Sequence, residues 1–170
     1  MGIVLLSIVF LQYKLKETER VSTQFSNHLF GYPIPPETEV IEKKQFNGRN
    51  WIDGGGSGGY WNVVAFIKMS SKLSREDIVD YYKKTKLFPY PKSDKLGVEL
   101  ELYFEDDMRM EQFTEGSYYR SGTGTIKFIN SYLMNSGEIM PSQRMAEIQP
   151  RKIDFVIQIH SGFKYFMQLD

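Results

Sequence analysis

The stretch WNVVAFIKMSSKLSREDIVDYYKKTK, residues 61–86, decides the fold. It opens on a short apolar run rich in β-branched and aromatic residues, which reads as strand, and from Ser74 onward its apolar spacing becomes helical. Leu73 and Ile78 stand at the N′ and N4 positions of a hydrophobic staple, Ser74 can cap the first turn, and Asp77 can reach back to it. Ile78, Tyr82 and Thr85, with Val79 beside them, form the apolar face, while Lys83, Lys84 and Lys86 suit the negative end of the helix dipole. Pro89 and Pro91 forbid continuation. The spacing therefore predicts a helix over 74–86. A helix of about three turns is marginal in water unless that face is buried, and the other apolar alternations downstream read as strands. The expected fold class is α+β: an antiparallel sheet of about five or six strands with one packed helix and a separate N-terminal helix outside or against it.

Upstream, residues 3–11 read IVLLSIVFL and are followed by Tyr13, Lys14, Lys16 and Arg20. A membrane-spanning helix takes about 20 apolar residues, and a signal peptide shows a basic flank before its apolar run and small residues at a cleavage site after it. The run fits neither pattern. Three readings stay open: a truncated membrane anchor, a short uncleaved anchor, or a core helix. Leu11, Leu15, Thr18, Ser22, Phe25 and Leu29 continue at helical spacing to a stop at Gly31, so one helix on the order of 40 Å can run from residue 2 to residue 30. Residues 32–39, YPIPPETE, form a proline-stiffened connector leading to a strand around 39–45. A short PIPP match to an SH3-type ligand is outweighed by the linker reading. The expected organisation is an apolar and amphipathic helix over 1–31 and a single α+β domain over 32–170.

Downstream, Val98, Leu100, Leu102 and Phe104 alternate with Glu99, Glu101 and Tyr103, the pattern of a half-buried strand over 98–104. Residues 126–133 read as its partner. Residues 153–159 and 163–169 are expected to form a hairpin through a two-residue turn at Ser161 and Gly162. Residues 135–150 read as a long loop or short helix. No internal repeat or alternating strand–helix series is present, which disfavours solenoids and doubly wound parallel folds.

The composition excludes several function classes. Twenty-one basic and 21 acidic residues sum to zero formal charge, so no broad electrostatic attraction to nucleic acid is expected. The absence of cysteine removes disulfides, thiolate catalysis and Cys-ligated metals. The glycine-rich stretch 54–59 lacks the Lys-Ser/Thr pair of a phosphate loop and precedes a strand, so it reads as a mobile strand connection. Glu105, Asp106 and Asp107, with Glu111 and Glu115, lack calcium-loop spacing, and no metal site or cofactor is expected. His160 lies at the expected hairpin turn, where Ser161, His160 and Asp154 cannot take triad geometry, so no catalytic residue is assigned. Aromatic rings supply contact area near loops, which makes Trp51, Tyr60, Trp61, Tyr118 and Tyr119 the candidate ligand-binding residues.

Ile34-Pro35-Pro36, the strand at Glu39-Val40-Ile41, the glycine-rich gap, the apolar strand, and Leu73-Ser74-Arg75-Glu76-Asp77-Ile78 leading to Tyr81-Tyr82 resemble small exported or membrane-anchored bacterial α+β domains of unknown function. The resemblance covers roughly residues 33–86 and implies location more than activity. The chain departs from the pattern in having no complete export signal. The expected function is a membrane-anchored extracytoplasmic binding or protein-interaction domain. Its expected partners are the membrane, through the N-terminal segment, and a protein or envelope polymer. The alternatives are a cell-envelope hydrolase acting through carboxylates such as Glu99, Glu101 and Asp106, and a cytoplasmic interaction domain, the latter favoured by the lysines after the apolar run.

Overall fold

The chain is described by a computed structural model over residues 2–50, 60–113, 116–134 and 152–164. In order it forms α1 (Gly2–Phe30), β1 (Thr38–Asn50), β2 (Tyr60–Ser71), α2 (Arg75–Tyr82), β3 (Phe88–Pro89), β4 (Leu96–Val98), β5 (Glu101–Phe104), β6 (Met108–Phe113), β7 (Gly116–Ser121), α3 (Ile129–Met134) and β8 (Ile153–Lys164). The main sheet has the order β1-β2-β8-β5 with every pairing antiparallel, and β3–β4 and β6–β7 are separate two-stranded ladders. The fold is α+β.

The local signals at residues 73–78 are realised. Ser74 is the N-cap, its Oγ accepting from the Asp77 backbone N–H at 3.1 Å and donating to Asp77 Oδ2 at 2.6 Å. Ile78, Val79 and Tyr82 are buried on the sheet. The helix ends at Tyr82 rather than continuing to Lys86, because the Thr85 N–H turns back to the Tyr82 carbonyl at 2.9 Å. The expected continuous N-terminal helix is also present, ending where the Gly31 N–H bonds the Asn27 carbonyl. Its second half packs against the sheet through Val21, Phe25 and Leu29, and the buried Ser22 and Ser26 keep that face small.

Period-two alternation divides the sheet into two faces. Val63, Ala65, Ile67 and Met69 of β2, Phe155, Ile157, Ile159 and Phe163 of β8, and Leu102 and Phe104 of β5 share the larger core with α1 and α2. Phe66, Val156 and Tyr103 point the other way into a smaller core, closed by Tyr119 of β7 with Phe46 and Met108 packed around it. The β6–β7 hairpin thus covers part of the second face.

Three expectations are corrected. The hairpin at Ser161 and Gly162 does not form: β8 runs straight through, with Ser161 opposite Val63 and Gly162 opposite Asn62. A twelve-residue ladder with β2 outweighs a two-residue turn signal. Glycine at 162 serves close approach instead, since a Cβ there would lie 2.6 Å from Asn62 Oδ1. Residues 98–104 are not one strand; the ladder breaks at Glu99 and Leu100, where β4 turns to pair with β3 and β5 pairs with β8. Residues 126–133 are not its partner strand: Phe128 makes a single bridge to Glu101, and α3 begins with the Ile129 N–H on the Leu100 carbonyl at 2.8 Å. The stretches 54–59 and 135–150 lie outside the described residues.

Candidate functional site

Alternation along β5 sends Leu102 and Phe104 into the larger core and therefore aims Glu101 at the second face. With β6–β7 folded over that face, Glu101 is fully buried. A buried carboxylate is costly unless its charge and lone pairs are matched, and Glu101 is matched from several sides. Tyr103 Oη donates to Oε2 at 2.6 Å and Gln158 Nε2 donates to the same oxygen at 2.8 Å. Oε1 is paired with His160 Nδ1, and Arg120 Nη1 stands 3.6 Å from Oε2.

Each partner is positioned by the ladder or by the hairpin. Gln158 is directly opposite Glu101 in the β5–β8 register. Its amide also accepts from the Tyr119 N–H at 2.8 Å and donates to the Tyr119 carbonyl at 3.2 Å, so the side chain substitutes for a neighbouring strand and fastens β7 to the sheet. Burial, then the Glu101 charge and the hydrogen bond to it, push Tyr103 well above the ordinary tyrosine range, which keeps its hydroxyl a donor. The Arg120 guanidinium lies 4.3 Å from the centre of the Tyr118 ring. Burial works against its charge, but the Tyr103 hydrogen bond and the Glu101 charge together raise Arg120, so it stays cationic.

His160 is the solvent-facing member of the group, with 38% of its side chain exposed. An ionised carboxylate only accepts hydrogen bonds, so in the neutral imidazole the shared proton belongs to Nδ1 and Nε2 carries the lone pair. Beside His160, opposite Val64, the next row of the sheet is Gly48, Asn62 and Gly162, followed by Tyr60 opposite Lys164. Gly162, Tyr60 and Lys164 are exposed, so the hairpin leaves this end of the face open. The arrangement can move a proton at Nε2 while Glu101 holds the ring.

The residues expected from sequence do not converge. Trp51 lies outside the described residues. Tyr60 is exposed on the second face, whereas Trp61 points to the opposite side and packs against the larger core. Tyr118 lies under Arg120, and Tyr119 is buried edge-on to Phe66 at 4.9 Å between ring centres. The three carboxylates of the hydrolase alternative are dispersed too. Glu99 accepts from Asn130 at 3.3 Å, Glu101 is buried, and Asp106 is ion-paired with Arg75, whose guanidinium sits 4.8 Å from the Phe104 ring centre. His160, expected in a turn, is instead a strand residue; continuing the alternation of Phe155, Ile157 and Ile159 through Ser161 to Phe163 is the signal that places it there. Among the described residues no group of three or more His, Asp or Glu could hold a metal ion. No protein-family model, curated protein or solved structure matches the chain.

Proposed function

We propose that the chain is a membrane-anchored, extracytoplasmic binding domain, presented by α1 and offering the open second face of its sheet to a protein or envelope polymer. One observation carries this reading. α1 runs unbroken from the apolar stretch 3–11 into the core, and along it Phe10 and Tyr13 are 51% and 64% exposed whereas Thr18, Val21 and Ser22 are buried. Large apolar side chains exposed along a helix are suited to a lipid interface. No helix among the described residues is long and apolar enough to cross a membrane, so the proposed attachment is insertion of residues 3–11 at the bilayer surface, with the exposed Lys16 and Arg20 at headgroup level. The same two cations favour a second reading, with the domain on the cytoplasmic side.

In a flotation assay, the full-length protein should rise with vesicles of phosphatidylcholine and phosphatidylglycerol, and Phe10→Asp should shift it to the soluble fraction. Equal recovery of both proteins with the vesicles, or of neither, contradicts the attachment. Protease added to intact cells separates the sides: cleavage supports the extracytoplasmic reading, and protection supports the cytoplasmic one.

A further inference from the structure

We infer that the loop joining β3 to β4 is a second lipid contact, in which Tyr90 and Leu96 enter the surface of an anionic bilayer and Lys92 and Lys95 meet its phosphates. This rests on the reading of α1 as the site of membrane attachment and adds a second element to it.

The end of the β3–β4 ribbon leaves large apolar side chains outside the core. Tyr90 is 44% and Leu96 59% exposed, whereas Phe88 and Val98 at the base of the ribbon are buried. The tip is already formed. The Tyr90 N–H donates to the Lys95 carbonyl at 2.9 Å and the Ser93 N–H to the Tyr90 carbonyl at 3.1 Å. A Cβ at position 97 would run into the Tyr90 ring, so Gly97 is what lets that ring lie across β4. Little ordering is therefore left to oppose insertion.

The charge around these side chains is basic. Residues 86–97 carry three lysines and a single acid, Asp94, and Lys86, Lys92 and Lys95 are exposed. Cations bordering exposed apolar side chains match an anionic lipid surface, which takes up both at one plane. Lys92 holds φ at 60°, a conformation glycine would adopt without steric cost; lysine there puts a cation beside α1 instead.

That cation joins the loop to the helix. Lys92 Nζ lies 3.6 Å from Glu17 Oε1, and Lys14 Nζ lies 3.1 Å from Oε2 of the same carboxylate. Lys14 in turn stands 5.9 Å from the centre of the Phe10 ring. Phe10, Tyr13, Lys14 and Glu17 are spaced i, i+3, i+4 and i+7, so they share one side of α1. The loop is docked beside the part of the helix that bears the exposed Phe10 and Tyr13, and one bilayer surface can meet both.

The chain has no cysteine, so a single introduced thiol can carry an environment-sensitive fluorophore. Full-length Leu96→Cys, labelled with nitrobenzoxadiazole, should brighten and shift to the blue with vesicles of phosphatidylcholine and phosphatidylglycerol. Met110→Cys, 51% exposed on the β6–β7 hairpin across the sheet, should not respond. Lys95→Gln should weaken binding to the same vesicles about fivefold at low salt, the effect of one cation at an anionic surface. An unchanged Leu96→Cys signal while the protein floats with the vesicles overturns the loop contact and leaves the attachment through α1 standing. Absence of flotation overturns both. Equal responses at positions 96 and 110 would mean unspecific adsorption, and a shift on raising protein concentration without vesicles would assign the patch to a second copy of the chain; either overturns the proposal.

Discussion

Tyr82→Ala is expected to lower the free energy of unfolding by about 3–5 kcal/mol, the range for removing a large buried aromatic side chain. Tyr82 is fully buried where α2, the connector and the sheet meet. Its ring centre lies 6.2 Å from Tyr32, 5.1 Å from Tyr81 and 6.3 Å from Phe155, so truncation leaves a cavity bounded by three separate elements that cannot all close on it. The hydroxyl contributes little, because its partner is Met69 Sδ at 3.9 Å, a weak acceptor. Tyr82→Phe should accordingly cost less than about 1 kcal/mol. Urea denaturation of the pair checks both values, and an unchanged midpoint for Tyr82→Ala would remove the packing of α2 on the sheet.

Glu101→Ala should cost a similar amount, about 3–5 kcal/mol, for a different reason. Removing one partner of a buried ion pair leaves the other charge in place without compensation. Here the charge left behind is Arg120, of which 14% of the side chain is exposed, and the Tyr103 hydroxyl and the Gln158 amide lose an acceptor at the same time. Because Gln158 and Arg120 belong to the contact between the sheet and β7, the damage should concentrate there. Amide exchange measured on the variant should show Tyr119 losing protection more than residues of β1 and the α1 contact. Uniform loss, or none, would mean that Glu101 does not fasten the hairpin.

Legibility in the sequence follows the range of the forces involved. The start of α2 is a local matter of Leu73, Ser74, Asp77 and Ile78, and it could be read directly. So could the direction of Val98, Leu100, Leu102 and Phe104, all of which lie in the larger core. What could not be read depends on distant partners. Ser161-Gly162 carries a turn signal, but a full-length ladder with β2 overrides it and keeps His160 in a strand. Glu101 and Tyr103 look solvent-facing in a half-buried strand until β6–β7 folds over them. That hairpin was hidden because the acidic residues before it were weighed only as metal ligands and the tyrosines within it only as ligand contacts. The aromatic candidates within the described residues do not share one face, for a related reason. Neighbours in a strand point to opposite faces, so Tyr60 and Trp61 could not both line one site, nor could Tyr118 and Tyr119 share an orientation.

The Glu101–His160 contact is most directly tested by the long-range nitrogen–proton NMR spectrum of the full-length protein, with His160 assigned by its loss in His160→Gln. The structure predicts a proton held on Nδ1, strongly deshielded by the carboxylate, and a changed signal in Glu101→Gln. A His160 spectrum like that of solvent-exposed His28, with exchanging tautomers and no deshielded ring proton, would contradict it.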